Sequence, residues 1–277
     1  MELGLSGATI MKTPMPADVA SAGAAGFRAF EIAASKLDDY LASHPVAGLR
    51  AAFEAHGVRP TAIGAVMGVT FRPPTEYADV QQRFRQLCEV AATLGCREVV
   101  VTPGRAPEGA SWATIRAETV RVLQDLGSIA AQCDVRVAFE FLGYPWSSVR
   151  TLTQGWEVVK QAGRGNVKLV FDTAQFYAGG SELKSILDVP PEGIDLVHFC
   201  DVEDRPRETI EAAHRLMPGE GVIPLEAILI RLRHIGYDKV CTVELFRPQY
   251  WEQDPLEVAR RSRAAALELL SEYFAVE

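Results

Sequence analysis

Nowhere does the sequence approach the ~20 consecutive apolar residues that a membrane-spanning helix needs, which argues against a membrane partner. The opening MELGLSGATIMKTP lacks the basic start and long apolar core of a secretion signal, so a cytoplasmic setting is expected. Positive charge is also short. There are 28 Lys and Arg against 36 Asp and Glu, a formal net charge of -8. A phosphate backbone is held mainly by cationic side chains, so nucleic acid is a poor partner. The five cysteines, Cys88, Cys96, Cys133, Cys200 and Cys241, are odd in number and scattered without CxxC spacing. That excludes a disulfide framework and reads as reduced core thiols. No glycine-rich phosphate fingerprint follows the first strand-like segment, which removes the main sign of an open dinucleotide-binding sheet. With no internal repeat, low-complexity tract or linker, residues 1–277 are expected to form one domain.

What is present is an alternation of short β-forming runs with helical stretches. Strands are expected at Leu3–Ser6, Phe27–Ile32, Arg59–Val66, Glu98–Val101, Val135–Phe139, Lys168–Phe171, Ile194–Val197 and Lys239–Val243. Helices are expected at Ala17–Ala25, Leu49–His56, Glu76–Leu94, Trp112–Cys133, Thr151–Ala162, Leu183–Leu187, Pro224–Ile235 and Asp254–Phe274. Asp254 would cap the last of these, with Pro255 in its first turn. Eight such units in a chain of this length predict a single (β/α)8 TIM barrel, with its site at the C-terminal ends of the strands.

The stretch KLVFDTAQFYAGG is the centre of that arrangement. A buried strand, Lys168–Phe171, stops at Asp172 and passes into a small-residue turn. The same construction recurs where VRVAF meets Glu140, IDLV meets His198 and KVCTV meets Glu244, at intervals of 32, 26 and 46 positions. Strand ends on one face of a barrel converge, so Glu140, Asp172, His198 and Glu244 are aimed at one point. Desolvating isolated carboxylates is costly unless they are paired or metal-bound, and three of them with an imidazole call for a cation. Carboxylate and imidazole ligands without thiolate suit Mn²⁺, Mg²⁺, Co²⁺ or Zn²⁺. Cys200 and Cys241 are expected to point away from the mouth or lie deeper. Glu31, ending the second strand, faces the same rim and is expected to order it rather than to bind metal.

Several rim segments are candidates for substrate contact. Met67 and Phe71, in the loop Met67–Pro74, could form an apolar lid or simply pack beneath it. Tyr144 and Trp146 could stack on a sugar-like ring or serve the barrel mouth structurally. The long charged segment Cys200–Gly221 shows little periodicity and reads as a functional loop. Arg205 and Arg247 are candidates for holding substrate hydroxyls. Their alternatives are a solvated charge for Arg205 and a pair with a rim acid such as Glu220 for Arg247. His44, His56, His214 and His234 read as surface residues.

The segments AFEFLGYP around Glu140, VFDTAQFYAGGS around Asp172, HFCDVEDRP from His198, MPGEGVIPL from Met217 and TVELFRPQYW around Glu244 resemble the xylose isomerase-like barrel superfamily of sugar isomerases and epimerases. The likeness is closest to its inosose isomerase branch and runs over nearly the whole chain. It implies one divalent cation, Mn²⁺ first, held by Glu140, Asp172, His198 and Glu244. It further implies a keto-cyclitol or keto-sugar substrate, and a metal-stabilised enediolate with Glu140 and Glu244 moving the proton. Homo-oligomers are common in the superfamily. Dehydratases and C-glycoside-cleaving lyases share the scaffold, so elimination is the alternative outcome. The chain departs from the family pattern after the aspartate, where Gln175 and Tyr177 stand at positions that carry histidines in inosose isomerases. Gln175 can still hydrogen-bond substrate but cannot titrate near neutral pH.

Overall fold

The computed structural model describes residues 1–277. In chain order the elements are β1 Glu2–Ser6, α1 Ala17–Ala25, β2 Ala29–Ala33, α2 Ala34–Leu41, α3 Val46–His56, β3 Arg59–Val66, α4 Pro74–Leu94, β4 Glu98–Val101, α5 Trp112–Ala131 and β5 Arg136–Glu140. There follow α6 Leu152–Ala162, β6 Val167–Asp172, α7 Thr173–Ala178, β7 Ile194–Phe199, β8 Asp201–Val202, β9 Arg215–Leu216, α8 Leu225–His234, β10 Val240–Val243, α9 Pro248–Trp251 and α10 Pro255–Leu270. Eight parallel strands close in the order β1-β10-β7-β6-β5-β4-β3-β2, the TIM barrel that the alternation predicts.

Strands buried on both faces carry continuous apolar runs rather than alternation, as in LVF before Asp172. Side chains still alternate between inside and outside with a period of two. On the inner face Ala62, Val100, Ala138, Val170 and Leu196 form a separate buried layer across the barrel. Two residues further along β5, β6 and β7 the same inward positions are Glu140, Asp172 and His198. The register sets Asp172 level with His198, whereas Glu140 pairs with Val170, the stagger expected of tilted strands. The much larger apolar shell lies between strands and helices.

The helices begin and end on local signals. Thr151 and Gln154 form a reciprocal capping box at α6. Asp254 accepts the Glu257 amide at α10, where Pro255 occupies the first turn as expected. No helix is long and apolar enough to cross a membrane.

Four local expectations are corrected. The turn expected after Asp172 is α7, because Asp172 accepts the Gln175 amide and so caps a run of competent helix formers. The second strand starts at Ala29 and passes directly into α2, where no helix was expected. The short helix expected at Leu183–Leu187 is a 3-10 helix, Leu183–Asp188. The long charged loop contains an antiparallel ribbon in which Asp201 pairs with Leu216 and Val202 with Arg215.

Candidate metal centre and active site

Glu140 closes β5, Asp172 closes β6, His198 is the penultimate residue of β7, and Glu244 directly follows β10. All four are buried, and their ligand atoms lie within 4.8 Å of one another. His198 turns Nδ1 toward the carboxylates, at 3.2 Å from Glu244 Oε2, 3.5 Å from Glu140 Oε1 and 3.7 Å from Asp172 Oδ2. Its other ring nitrogen, Nε2, lies 2.7 Å from Glu31 Oε2. A partner on the far nitrogen fixes both the tautomer and the ring orientation of a ligating imidazole. Glu31 therefore orders the site as expected, but from the middle of β2 rather than from its end, because the strand runs two residues past it. A Cβ at position 64 would fall 2.5 Å from Glu31 Oε1, so glycine there leaves room for this contact.

Arg215, carried on β9, is 2 % exposed and was not anticipated from sequence. Its Nη1 donates to Glu244 Oε2 at 2.8 Å, its Nη2 sits 2.8 Å from Asp172 Oδ2, and its guanidinium lies over Phe246. Burial raises the pKa of Glu140, and it pushes Glu244 up to about 8. Burial would raise Asp172 too, but Arg215 and His198 outweigh it and hold that carboxyl at about 2. For His198 burial favours the neutral ring, yet Glu244 and Glu31 prevail and raise its pKa. Cys200 stays outside the cluster with its sulfur against Thr173, and burial pushes its thiol up to about 12.

Three buried atoms in the cluster have no hydrogen-bond partner, His198 Nδ1, Asp172 Oδ2 and Arg215 Nε; the first two are held only by ion contacts, Nδ1 with the three carboxylates and Oδ2 with Arg215 and Nδ1. Leaving such atoms unsatisfied costs ~1–3 kcal/mol each. The His198 and Asp172 atoms come from residues of the four-ligand group, and the donor set of carboxylate oxygens and one imidazole nitrogen fits a divalent cation of the Mn²⁺, Mg²⁺, Co²⁺ or Zn²⁺ kind. Above the cluster opens a cavity of about 420 Å³, whose walls include Met11, Met67, Tyr144, Gln175, Arg215 and Phe246.

A sequence profile described as Xylose isomerase-like TIM barrel matches residues 19–269. The chain belongs to the xylose isomerase-like TIM barrel family. Within the family it is similar to an inosose isomerase of Bacillus velezensis, with 34% identity over 87% of this chain and 86% of that one. An inosose isomerase of Bacillus subtilis is 31% identical over 87% of each chain. A solved structure described as IOLI protein with a binding zinc atom superimposes with a TM-score of 0.96 at 31% identity, covering 99% of this chain and 100% of that one.

In this family member the residues expected to touch substrate fare unequally. Gln175 does line the cavity, but its Oε1 accepts the Gly143 amide at 2.8 Å and its Nε2 donates to the Tyr144 hydroxyl at 3.2 Å. It ties the loop after β5 to α7. Trp146 does not line the cavity; it stacks outside on Tyr144 with ring centroids 5.5 Å apart, and Arg105 covers it. Tyr144 takes the inner place. Arg205 is also outside, against His214 at 2.9 Å and Glu203 at 3.5 Å. Arg247 is drawn to Glu203 at 2.7 Å rather than to Glu220, which accepts the Tyr250 hydroxyl instead. Met67 faces the cavity and Phe71 does not. Arg215 escaped notice because its immediate neighbours form no extended strand-like run; the only local sign is a single cation entering the apolar pair Leu216–Met217 before a PGEG turn.

Proposed function

We propose that this chain, as one barrel domain over residues 1–277, is a divalent-cation-dependent isomerase or epimerase of a keto-cyclitol or keto-sugar. The reaction moves a proton at a carbon beside the carbonyl through an enediolate. The observation that carries this reading is the convergence of Glu140, Asp172, His198 and Glu244, with His198 Nδ1 and Asp172 Oδ2 lacking hydrogen-bond partners within it. The similarity to inosose isomerases over 87% of the chain supports the substrate class. A cation bound there supplies a Lewis acid that polarises a carbonyl and stabilises charge developing on its oxygen.

The protein's own groups supply the rest. Glu140 and Glu244 enter from β5 and β10, with β6 and β7 between them, so they flank whatever sits over the cluster. A carboxylate that also holds a cation is a weak base, and substrate held within reach of Glu140 and Glu244 compensates through proximity. Arg215 holds Glu244 and Asp172 in place, and Glu31 holds the His198 ring. Manganese is the cation expected first, in a cytoplasmic enzyme with a small-molecule partner.

The test is proton NMR of 2-keto-myo-inositol in D₂O with Mn²⁺-loaded protein. EDTA-sensitive deuterium entry beside the carbonyl, with or without a new isomer, is the expected result. Loss of water with vinylic signals would move the assignment to a dehydratase. No exchange with any of the four cations would overturn it.

A further inference from the structure

Resting on that reading, the cavity wall narrows the substrate. Its floor is charged, but 11 of its 21 lining residues are hydrophobic, so the wall offers methyl, thioether and phenyl surface where a polyol would need partners. Met11, Ala34, Ala65, Met67, Leu142 and Phe246 carry that surface. Of the neutral polar side chains on the wall, the Ser35 hydroxyl and the Tyr144 O–H proton remain free, and the others are already committed. Gln175 is engaged with Gly143 and Tyr144. The Thr102 hydroxyl accepts the Gly68 amide at 3.1 Å and donates to Met67 Sδ at 3.5 Å. The Ser6 hydroxyl accepts the Ala8 amide at 3.3 Å and donates to Glu244 at 3.4 Å. The two rim arginines nearest in sequence to the site, Arg205 and Arg247, are held outside by Glu203.

A cyclitol with oxygen on every ring carbon could place its reacting pair of oxygens on the floor, but its remaining hydroxyls would face apolar wall. A hydroxyl buried without a partner weakens binding by about tenfold or more. The volume of about 420 Å³ also exceeds what a bare ring requires and falls within the ~300–1,000 Å³ of pockets for larger ligands. We infer that the preferred substrate is an α-hydroxy ketone whose far side is apolar: a cyclic or sugar-derived ketone that is deoxygenated, O-methylated or aryl-substituted away from the reacting carbons.

Two probes test this with the Mn²⁺-loaded protein: 2-hydroxycyclohexanone, which keeps only the reacting pair, and 2-keto-myo-inositol. Deuterium entry gives kcat/KM for each, and calorimetric titration gives Kd for each independently of turnover. The expected result is a preference of about tenfold or more for 2-hydroxycyclohexanone in both measurements. In the Ala34→Ser, Ala65→Ser double variant, which places hydroxyls on the wall, that preference shrinks severalfold. Tighter binding and faster exchange of 2-keto-myo-inositol by the parent protein would overturn the inference while leaving the isomerase reading intact. Exchange of neither probe would sink the isomerase reading, and the order of the two Kd values would still decide the character of the wall.

Discussion

The two ends of the barrel are both lined with buried or half-buried charge, and they treat it in opposite ways. At the N-terminal end Arg136 pairs with Glu98 and, at 2.6 Å, with Asp195, which also receives Lys239 at 3.3 Å. Acids and cations match there, and none of these side chains has a buried atom without a partner. At the C-terminal end four acids, Glu31, Glu140, Asp172 and Glu244, face one arginine and one histidine, and three buried atoms lack a hydrogen-bond partner. Between them lies the apolar layer of Ala62, Val100, Ala138, Val170 and Leu196. Along β5 a single inward row runs Arg136, Ala138, Glu140: closed charge, apolar spacer, open charge. The difference separates charge that holds the barrel together from charge held ready for a ligand, a division of labour common to TIM barrels.

Breaking the open end should cost function first. Glu244→Gln is expected to lower deuterium exchange into substrate by about 10³-fold or more, through loss of both a cation ligand and a proton-transfer group. An unchanged circular dichroism spectrum would show that the fold survives; retained exchange would remove Glu244 from the chemistry. Breaking the closed end should cost stability instead. Arg136→Ala leaves the largely buried Glu98 without its cation and Asp195 with Lys239 alone, and because Arg136 itself is one-third exposed the expected loss is about 2 kcal/mol. Thermal denaturation should show a melting temperature lower by roughly 5 °C, with kcat/KM per folded molecule unaltered. Glu31→Gln tests the orientation of His198. A 10- to 100-fold loss of cation affinity is expected, typical for removal of a ligand's supporting partner, and competition against a fluorescent chelator would measure it.

A smaller effect separates the ends by pH. In the metal-free protein Glu244, pushed up to about 8 by burial, and His198, raised by Glu244 and Glu31 against its burial, both hold protons more tightly folded than unfolded. Their contributions are present at low pH and are lost as pH rises, for Glu244 between its unfolded value of 4.5 and about 8. Asp172, held at about 2 by Arg215 and His198 despite burial, contributes in the opposite sense, stabilising above its unfolded 3.8 and fading only as pH falls toward 2. The melting temperature without metal should therefore drift down by a few degrees from pH 5 to 8, and saturating Mn²⁺ should reverse the drift, because cation binding displaces those protons. A flat profile in both conditions would contradict this electrostatic picture.

The four strand-end residues were legible in the sequence because each interrupts a short β-forming run at the place where a barrel opens to solvent. Glu31 was singled out as a strand end, although β2 runs two residues beyond it. Arg215 was not: it reaches the cluster through a ribbon of two-residue strands, and no local periodicity marks so brief an element. Arg205 and Arg247 were recognisable as rim cations, but choosing between substrate and protein carboxylate depends on tertiary geometry, and Glu203 lies within reach of both. Trp146 was placed correctly on the rim loop, yet its neighbour Tyr144 took the inward position. The helix α7 was hidden by its brevity, although Asp172 as its cap is the same residue that anchors the site.

We propose that His198 Nδ1 and Asp172 Oδ2 at the C-terminal end lack hydrogen-bond partners because a divalent cation completes them. Calorimetric titration of EDTA-treated protein with Mn²⁺ tests it directly, alongside a Glu140→Gln, Glu244→Gln double variant. One equivalent bound by the parent and none by the variant is the predicted result. No saturable binding to the parent, or equal binding to the variant, would contradict it.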